Sequence, residues 1–215
     1  MFIDNIIDFI QPQKESTILD LACGKGRHSI YLNKKGFNVT GVDLSQNSIN
    51  EANKQANAQL HFHQMDMREI KPIQSFNLVM NMFTSFGYFD HKSDNLKVLN
   101  GVHSVLNPNG YLVIDFLNAS KVIQNLVKEE KQEIDHITFT INRFIKDQTV
   151  VKQIHVSDNE QEFNFQERVS MFELSDFEEM FTQTGFKLVT SFGNYHLNEF
   201  NPQKSDRLIL VAQKI

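Results

Sequence analysis

Tryptophan is absent from the 215 residues, cysteine occurs once and proline four times. A single thiol, Cys23, excludes an internal disulfide framework and suits a reducing compartment, so a cytoplasmic location is expected. No apolar run approaches the roughly 20 residues of a membrane span. The first ten residues, MFIDNIIDFI, lack the cationic start and small-residue cleavage site of a secretory signal, so no membrane partner is expected. Blocks of positive charge are missing too: the net charge is −5, with both signs interspersed along the chain. Binding a phosphate backbone needs a clustered cationic surface, so nucleic acid is not an expected partner.

What remains is an ordinary soluble composition, 40% apolar and 22% charged, sized for one domain or one domain with an inserted lobe. Aromatic burial falls to 19 phenylalanines, rings without a polar handle.

Hydrophobic periodicity gives the organisation. Phe2, Ile6, Phe9 and Ile10 fall at helical spacing before Pro12. Residues 16–22 read as a buried strand, 27–35 as a helix ended by Gly36, and 37–43 as a second strand. Ser45 caps a helix to about residue 57; strands follow at 60–65 and 76–82. Leu96, Leu99, Val102 and Leu106 form a helical stripe that ends at Asn107-Pro-Asn-Gly110, and Tyr111 to Leu117 is a further strand. Alternating strands and helices imply a parallel sheet with right-handed crossovers. From 134 to 172 the period becomes two, predicting three antiparallel strands around the turns Lys146-Asp-Gln148 and Ser157-Asp-Asn159. The domain boundaries expected are therefore 1–133 plus 173–215, with 134–172 inserted. A helix over 173–184, with Ser175 as its cap, and a closing antiparallel pair at 186–192 and 206–213 complete the chain.

The chemistry concentrates where the first strand, Leu19-Asp-Leu21, runs through Ala22 and Cys23 into Gly24-Lys-Gly26 and a helix. An acid, Asp43, closes the next strand. Small residues let backbone approach a ligand, and a carboxylate accepts both hydroxyls of a ribose, so the pattern is that of a nucleoside site. Gly24-Lys-Gly-Arg-His-Ser29 imitates a dinucleotide fingerprint, which keeps a nicotinamide-dependent oxidoreductase as an alternative. Against it, Asp20 sits where a pyrophosphate would meet negative charge, and no second mononucleotide half follows. Cys23 reads as a packing residue, because a reactive thiol needs an exposed electropositive setting. His61 and His63 lack a third ligand, so no metal is expected.

With Asp66 added, the set resembles the class I S-adenosylmethionine-dependent methyltransferases. Asp20-Leu-Ala-Cys-Gly24-Lys-Gly26 is similar to their first motif, with Cys23 where glycine often stands. Asp43 matches the acid that binds the ribose diol, and Asp66 the acid that meets the adenine amino group. Phe76 to Phe89 resembles their fourth strand and the loop facing the transferred methyl, and Leu106 to Ile114 their turn into strand five, with Asn109 replacing one glycine. The likeness is strong over residues 15–118 and architectural beyond.

The resemblance implies an α/β fold: a Rossmann-like seven-stranded mixed sheet, last strand antiparallel, helices on both faces and a small antiparallel β lid. It implies S-adenosylmethionine as cofactor, with S-adenosylhomocysteine as product. The residues it assigns to the cofactor are Asp20, Cys23, Gly24, Lys25, Gly26, Asp43, Leu44, Ser45, Asp66, Met67, Asn81, Met82 and Phe83. Asp20 is read either as support for the cofactor ammonium or as a hydrogen bond that orients the loop. Phe83, Phe86, Tyr88, Arg168, Tyr195 and His196 are the expected substrate contacts, Arg168 for an anionic group, and Tyr88 and His196 the candidate catalytic bases. A small-molecule acceptor is implied, methylated at N or O, by a monomer or homodimer; a non-catalytic cofactor-binding regulator is the alternative. The segment has no Asn-Pro-Pro-Tyr or Asp-Pro-Pro-Tyr sequence. Many similar proteins carry one or two more helices before the first strand, so a more open pocket or a shortened chain is expected here.

Overall fold

The computed structural model describes residues 2–158 and 161–215; of the turn expected at 157–159, Asn159 lies outside them. Helix α1 (Phe2–Ile10) precedes β1 (Thr17–Leu21), α2 (Arg27–Lys34), β2 (Asn38–Asp43), α3 (Gln46–Ala52), β3 (Leu60–Gln64), β4 (Phe76–Asn81), α4 (Lys92–Val105) and β5 (Leu106–Leu117). The main sheet has the order β10-β11-β5-β4-β1-β2-β3, where β10 is Phe186–Phe192 and β11 is Arg207–Lys214. β11 runs antiparallel to both its neighbours, and β1 to β5 are parallel, the mixed sheet expected. The chain steps from β1 outward to β2 and β3, then returns to β4 on the other side of β1. That reversal opens a crevice at the carboxyl ends of β1 and β4, where ligands of open α/β sheets bind.

Each apolar strand is buried by helices on both faces, in two hydrophobic clusters. Helix α4 buries Asn95, Val98, Leu99, Val102 and Val105, so its core face is turned slightly from the expected stripe. Leu106 already belongs to β5, whose ladder runs through Asn107-Pro-Asn-Gly110 with a register shift against β4. A Cβ on Gly110 would stand 2.9 Å from the Asn107 carbonyl oxygen, which fixes glycine there. Helix α6 (Leu174–Gln183) is capped by Glu173, not Ser175: Glu173 and Asp176 exchange side-chain-to-backbone hydrogen bonds in a capping box.

After α5 (Ala119–Gln124) comes a second sheet, ordered β6-β7-β8-β9 and antiparallel throughout: Glu129–Ile134, Ile137–Lys146, Thr149–Asp158 and Gln161–Ser170. It has four strands where three were expected, and begins at Glu129. The extra strand, Glu-Glu-Lys-Gln-Glu-Ile, has no alternation to read; it is held by its backbone pairing with β7. The sheet is tied to the loop after β4 by the Ser170 amide, which donates to the Gly87 carbonyl at 2.9 Å.

Candidate active site

β1 ends in a chain of left-handed residues, Ala22 (φ 64°), Gly24 (φ 56°) and Gly26 (φ 79°), that turns the backbone into α2. A Cβ on Gly26 would lie 2.6 Å from the Phe62 ring, so the turn needs glycine for space as well as for conformation. The Asp43 carboxylate holds the turn: it accepts from the Gly24 amide and from the Ser45 amide, each at 2.8 Å. Ser45 caps α3 by accepting from the Ser48 amide.

Of the three expected acids, Asp20 lies on β1, Asp43 ends β2 and Asp66 follows β3, at the carboxyl ends of three adjacent strands. Asp20 pairs with Gly41, two residues before Asp43, and is 2% exposed. Its carboxylate accepts from the Ser29 hydroxyl of α2 at 2.5 Å, a loop-orienting contact, and burial pushes its pKa up to about 6. Asp66 follows β3 and is bracketed by Arg68, whose guanidinium donates to both its oxygens; that pairing lowers its pKa. Arg68 also lies over the Phe89 ring, 5.2 Å from its centroid.

Between Asp43 and Asp66 lies a cavity of about 280 Å³, lined also by Ala22, Leu44, Met67, Ser85 and Tyr88. Its walls are mostly apolar, with a carboxylate at either side. A carboxylate has about four lone-pair sites, so Asp43 can take a vicinal diol while keeping its two backbone donors. On the other side of β1, buried Asn81 donates to the Leu21 carbonyl at 3.0 Å. Its Oδ1 has no partner among the described residues, leaving an acceptor for an ammonium or a water. Slot, diol acceptor and free carbonyl oxygen together fit an adenosyl group bearing an amino-acid tail.

The remaining residues are distributed unevenly. Cys23 is buried, and desolvation with Asp20 and Asp43 pushes its thiol far up, as for a packing residue. Lys25 is exposed and Met82 buried. Phe83 is half exposed, stacked on His28 with ring centroids 4.9 Å apart, and 5.9 Å from Tyr195. Phe86, expected against substrate, is instead 1% exposed and packed on Phe172 and Phe177: the Gly87 turn sends its ring inward. Tyr88 lines the cavity, and burial, helped by the negative charge of Glu167 on β9, raises its pKa. Arg168 is exposed and faces Asp90 at 3.8 Å. His196 is exposed on the loop between β10 and β11 and is not among the residues lining that cavity.

Sequence reasoning missed Asp115 and Arg207. Asp115 is fully buried on β5 and accepts from the Phe83 amide at 3.0 Å and from Arg207 Nε at 2.8 Å. Its signal was an acid inside the apolar run Tyr111-Leu-Val-Ile-Asp-Phe-Leu117, where an ionisable group needs a partner. Among the described residues no group of three or more His, Cys, Asp or Glu is arranged to hold a metal.

A family model described as "Methyltransferase domain" matches residues 18–110. A Bacillus subtilis (strain 168) protein named "Putative methyltransferase YqeM" is 32% identical over 213 residues, covering 94% of this chain and 85% of its own. The chain belongs to the class I S-adenosylmethionine-dependent methyltransferases. A glycine/sarcosine N-methyltransferase of Parasynechococcus marenigrum (strain WH8102) is 26% identical over 226 residues, covering 98% of this methyltransferase and 76% of that enzyme. Among solved structures, an S-adenosylmethionine-dependent methyltransferase from Clostridium acetobutylicum ATCC 824 superposes with a TM-score of 0.86 at 21% identity, covering 99% and 89% of the two chains. The cofactor of this methyltransferase is S-adenosylmethionine. No described helix is long and apolar enough to cross a membrane.

Proposed function

We propose that this methyltransferase modifies a nucleophilic nitrogen or oxygen of a small molecule, with an amine nitrogen favoured, under the second sheet. The observation that carries this reading is the bond from Ser170 of β9 to Gly87 of the loop after β4, which ties a four-stranded cover to that loop. A cover fixed there leaves room for a small acceptor rather than a polymer. Three cations on it are paired with carboxylates, Arg143 with Glu130, Lys152 with Glu167 and Arg168 with Asp90, which weakens its attraction for a nucleic-acid backbone. The glycine/sarcosine relative supports nitrogen.

When bound, S-adenosylmethionine supplies an electrophilic methyl on sulfonium. Asp43, Asp66 and Asn81 hold and orient the cofactor, while Phe83, Tyr88 and Tyr195 exclude water and align the acceptor. Alignment of this kind is worth roughly 7–11 kcal/mol. Among the described residues that line the cavity there is no histidine or lysine to act as a base. The Tyr88 phenol is held protonated at neutral pH and serves as a hydrogen-bond donor. The His28 ring is kept neutral by desolvation and Arg27, and its Nε2 accepts from Arg27 at 3.2 Å. Such a site suits an amine, whose lone pair becomes available by deprotonation in solvent, better than an alcohol that needs a base. The test measures S-adenosylhomocysteine release with glycine, sarcosine, amino sugars and catechols as acceptors. Turnover confined to the amines supports the reading; turnover with catechols alone overturns the preference for nitrogen, and turnover with none of these but with added RNA removes the small-molecule reading altogether.

A further inference from the structure

We propose that Asp115 and Arg207 form a clamp that sets the β4 side of the cofactor cleft by holding Phe83 and Thr84 in a conformation they would otherwise leave. Both residues have left-handed backbone, φ 57° and 58°, and neither is glycine. Side chains with a Cβ adopt that region in sequence only where surrounding structure imposes it. The imposing contacts converge on two residues. Asp115 accepts from the Phe83 amide with its carboxylate at 3.0 Å and from the Thr84 amide with its carbonyl at 2.9 Å. Arg207 donates through Nε to Asp115 at 2.8 Å and through Nη2 to the Thr84 hydroxyl at 2.7 Å. β5 and β11 are hydrogen-bonded neighbours, with Arg207 opposite Leu117, so the clamp is anchored on two central strands while the loop it grips is not part of any.

The grip has a consequence for the site. Held this way, the Phe83 ring lies parallel to His28 in the first turn of α2, directly after the Gly24–Gly26 turn, and faces Tyr195. Tyr195 is itself placed by Phe2, 4.4 Å away, and by the Asp115 carboxylate at 3.4 Å. Phe83 follows the end of β4 and His28 the turn that leaves β1, so the stacked pair stands beside the ends of those two strands. The slot between Asp43 and Asp66 lies at β1, β2 and β3. A bound cofactor therefore meets the clamped wall with its amino-acid and methyl-bearing end, and the slot with its adenosyl end. Asp115 and Arg207 touch neither, and act as positioning residues through Phe83 and Thr84.

Two ligands separate the ends without an acceptor: adenosine reports the slot, and S-adenosylhomocysteine reports both. Asp115→Asn keeps the shape and removes the charge that holds Arg207. By calorimetry, its adenosine affinity should stay within about twofold of the unmodified enzyme while its S-adenosylhomocysteine affinity falls about tenfold, the loss of one oriented contact. Amide hydrogen exchange over residues 82–86 should accelerate in step. Thr84→Gly added to Asp115→Asn gives up the hydroxyl contact to Arg207 but removes one left-handed penalty, and should recover part of the S-adenosylhomocysteine affinity while leaving adenosine affinity where it was, whereas recovery from general destabilisation would raise both. Arg207→Lys, which cannot make both bonds at once, carries the same test should Asp115→Asn not fold. Equal weakening of both ligands, or no change in S-adenosylhomocysteine affinity, overturns the proposal.

Discussion

The Asp43 carboxylate and the Gly24 amide stand 2.8 Å apart, joining the tip of β2 to the glycine turn that leaves β1. One side chain thus fixes the backbone of the turn and, in the function proposed above, also takes the ribose diol. Its two roles separate under substitution. Asp43→Asn keeps one acceptor oxygen and one turn contact but loses the charge; Asp43→Ala loses both. Hydrogen bonds to a charged group contribute about 1.5–3 kcal/mol each, so calorimetry should show S-adenosylmethionine binding weakened roughly ten- to hundredfold in Asp43→Asn and abolished in Asp43→Ala. Unchanged affinity in Asp43→Ala would move the ribose elsewhere.

Asp66 is already engaged before any ligand arrives, because Arg68 Nη2 lies 2.6 Å from its Oδ2. An adenine amino group reaching this carboxylate shares it with a guanidinium. Arg68→Ala should raise adenosine affinity a few-fold and flatten its dependence on salt. Thermal stability should hardly move, since the pair is partly exposed and such pairs contribute about 0–1 kcal/mol. A drop in adenosine affinity would instead make Arg68 part of the binding wall through its contact with Phe89.

The parallel half of the fold was legible because β1, β2 and β4 are near-continuously buried and the first three strands end in a chemical mark: glycine after β1, acid at the end of β2 and after β3. The β6 strand was not, since five of its six residues are polar and only pairing with β7 makes it a strand. The site divides the same way. Asp43 and Asp66 announce themselves by standing at strand ends. Phe86 and Phe83, three residues apart, are indistinguishable in sequence, yet one is core and the other faces His28. What separates them is a loop conformation set by Asp115, more than thirty positions away, and Arg207, farther still; such long-range hydrogen bonds leave no local pattern. Arg168 was expected to hold an anionic substrate group, but its position facing Asp90 depends on which face of β9 it occupies.

Asp20 gives the enzyme a stability term that runs against the usual acid-denaturation trend. Its folded pKa is raised to about 6 by burial, against 3.8 for the ordinary carboxyl. The folded state therefore holds its proton more tightly than the unfolded chain. Stability from this group is fully present below about pH 4 and is lost as pH rises toward 6, by about 3 kcal/mol at 1.36 kcal/mol per unit. Asp20→Asn cannot ionise and escapes that loss, while retaining an acceptor for the Ser29 hydroxyl. The difference in melting temperature, Asp20→Asn minus unmodified enzyme, should grow more positive between pH 4 and 7. A flat difference would mean that Asp20 is ionised in both states alike.

Phe86 offers the sharpest contrast with its neighbour. At 1% exposure, with Phe177 5.7 Å away and Phe172 6.3 Å away, it belongs to the core beneath the second sheet. Phe86→Ala should cost about 3–5 kcal/mol, the range for deleting a buried aromatic ring. Phe83, 44% exposed, carries little of the core, so Phe83→Ala should cost less than about 1 kcal/mol by the ordinary measure of surface substitutions. Binding reverses the order: Phe83→Ala should weaken S-adenosylhomocysteine more than Phe86→Ala, once both are measured below their unfolding transitions. Urea denaturation supplies the first ranking and calorimetry the second. If Phe86→Ala proved the milder of the two in urea, the ring would have to face the acceptor chamber after all, and the assignment of Gly87 as the turn that buries it would fall.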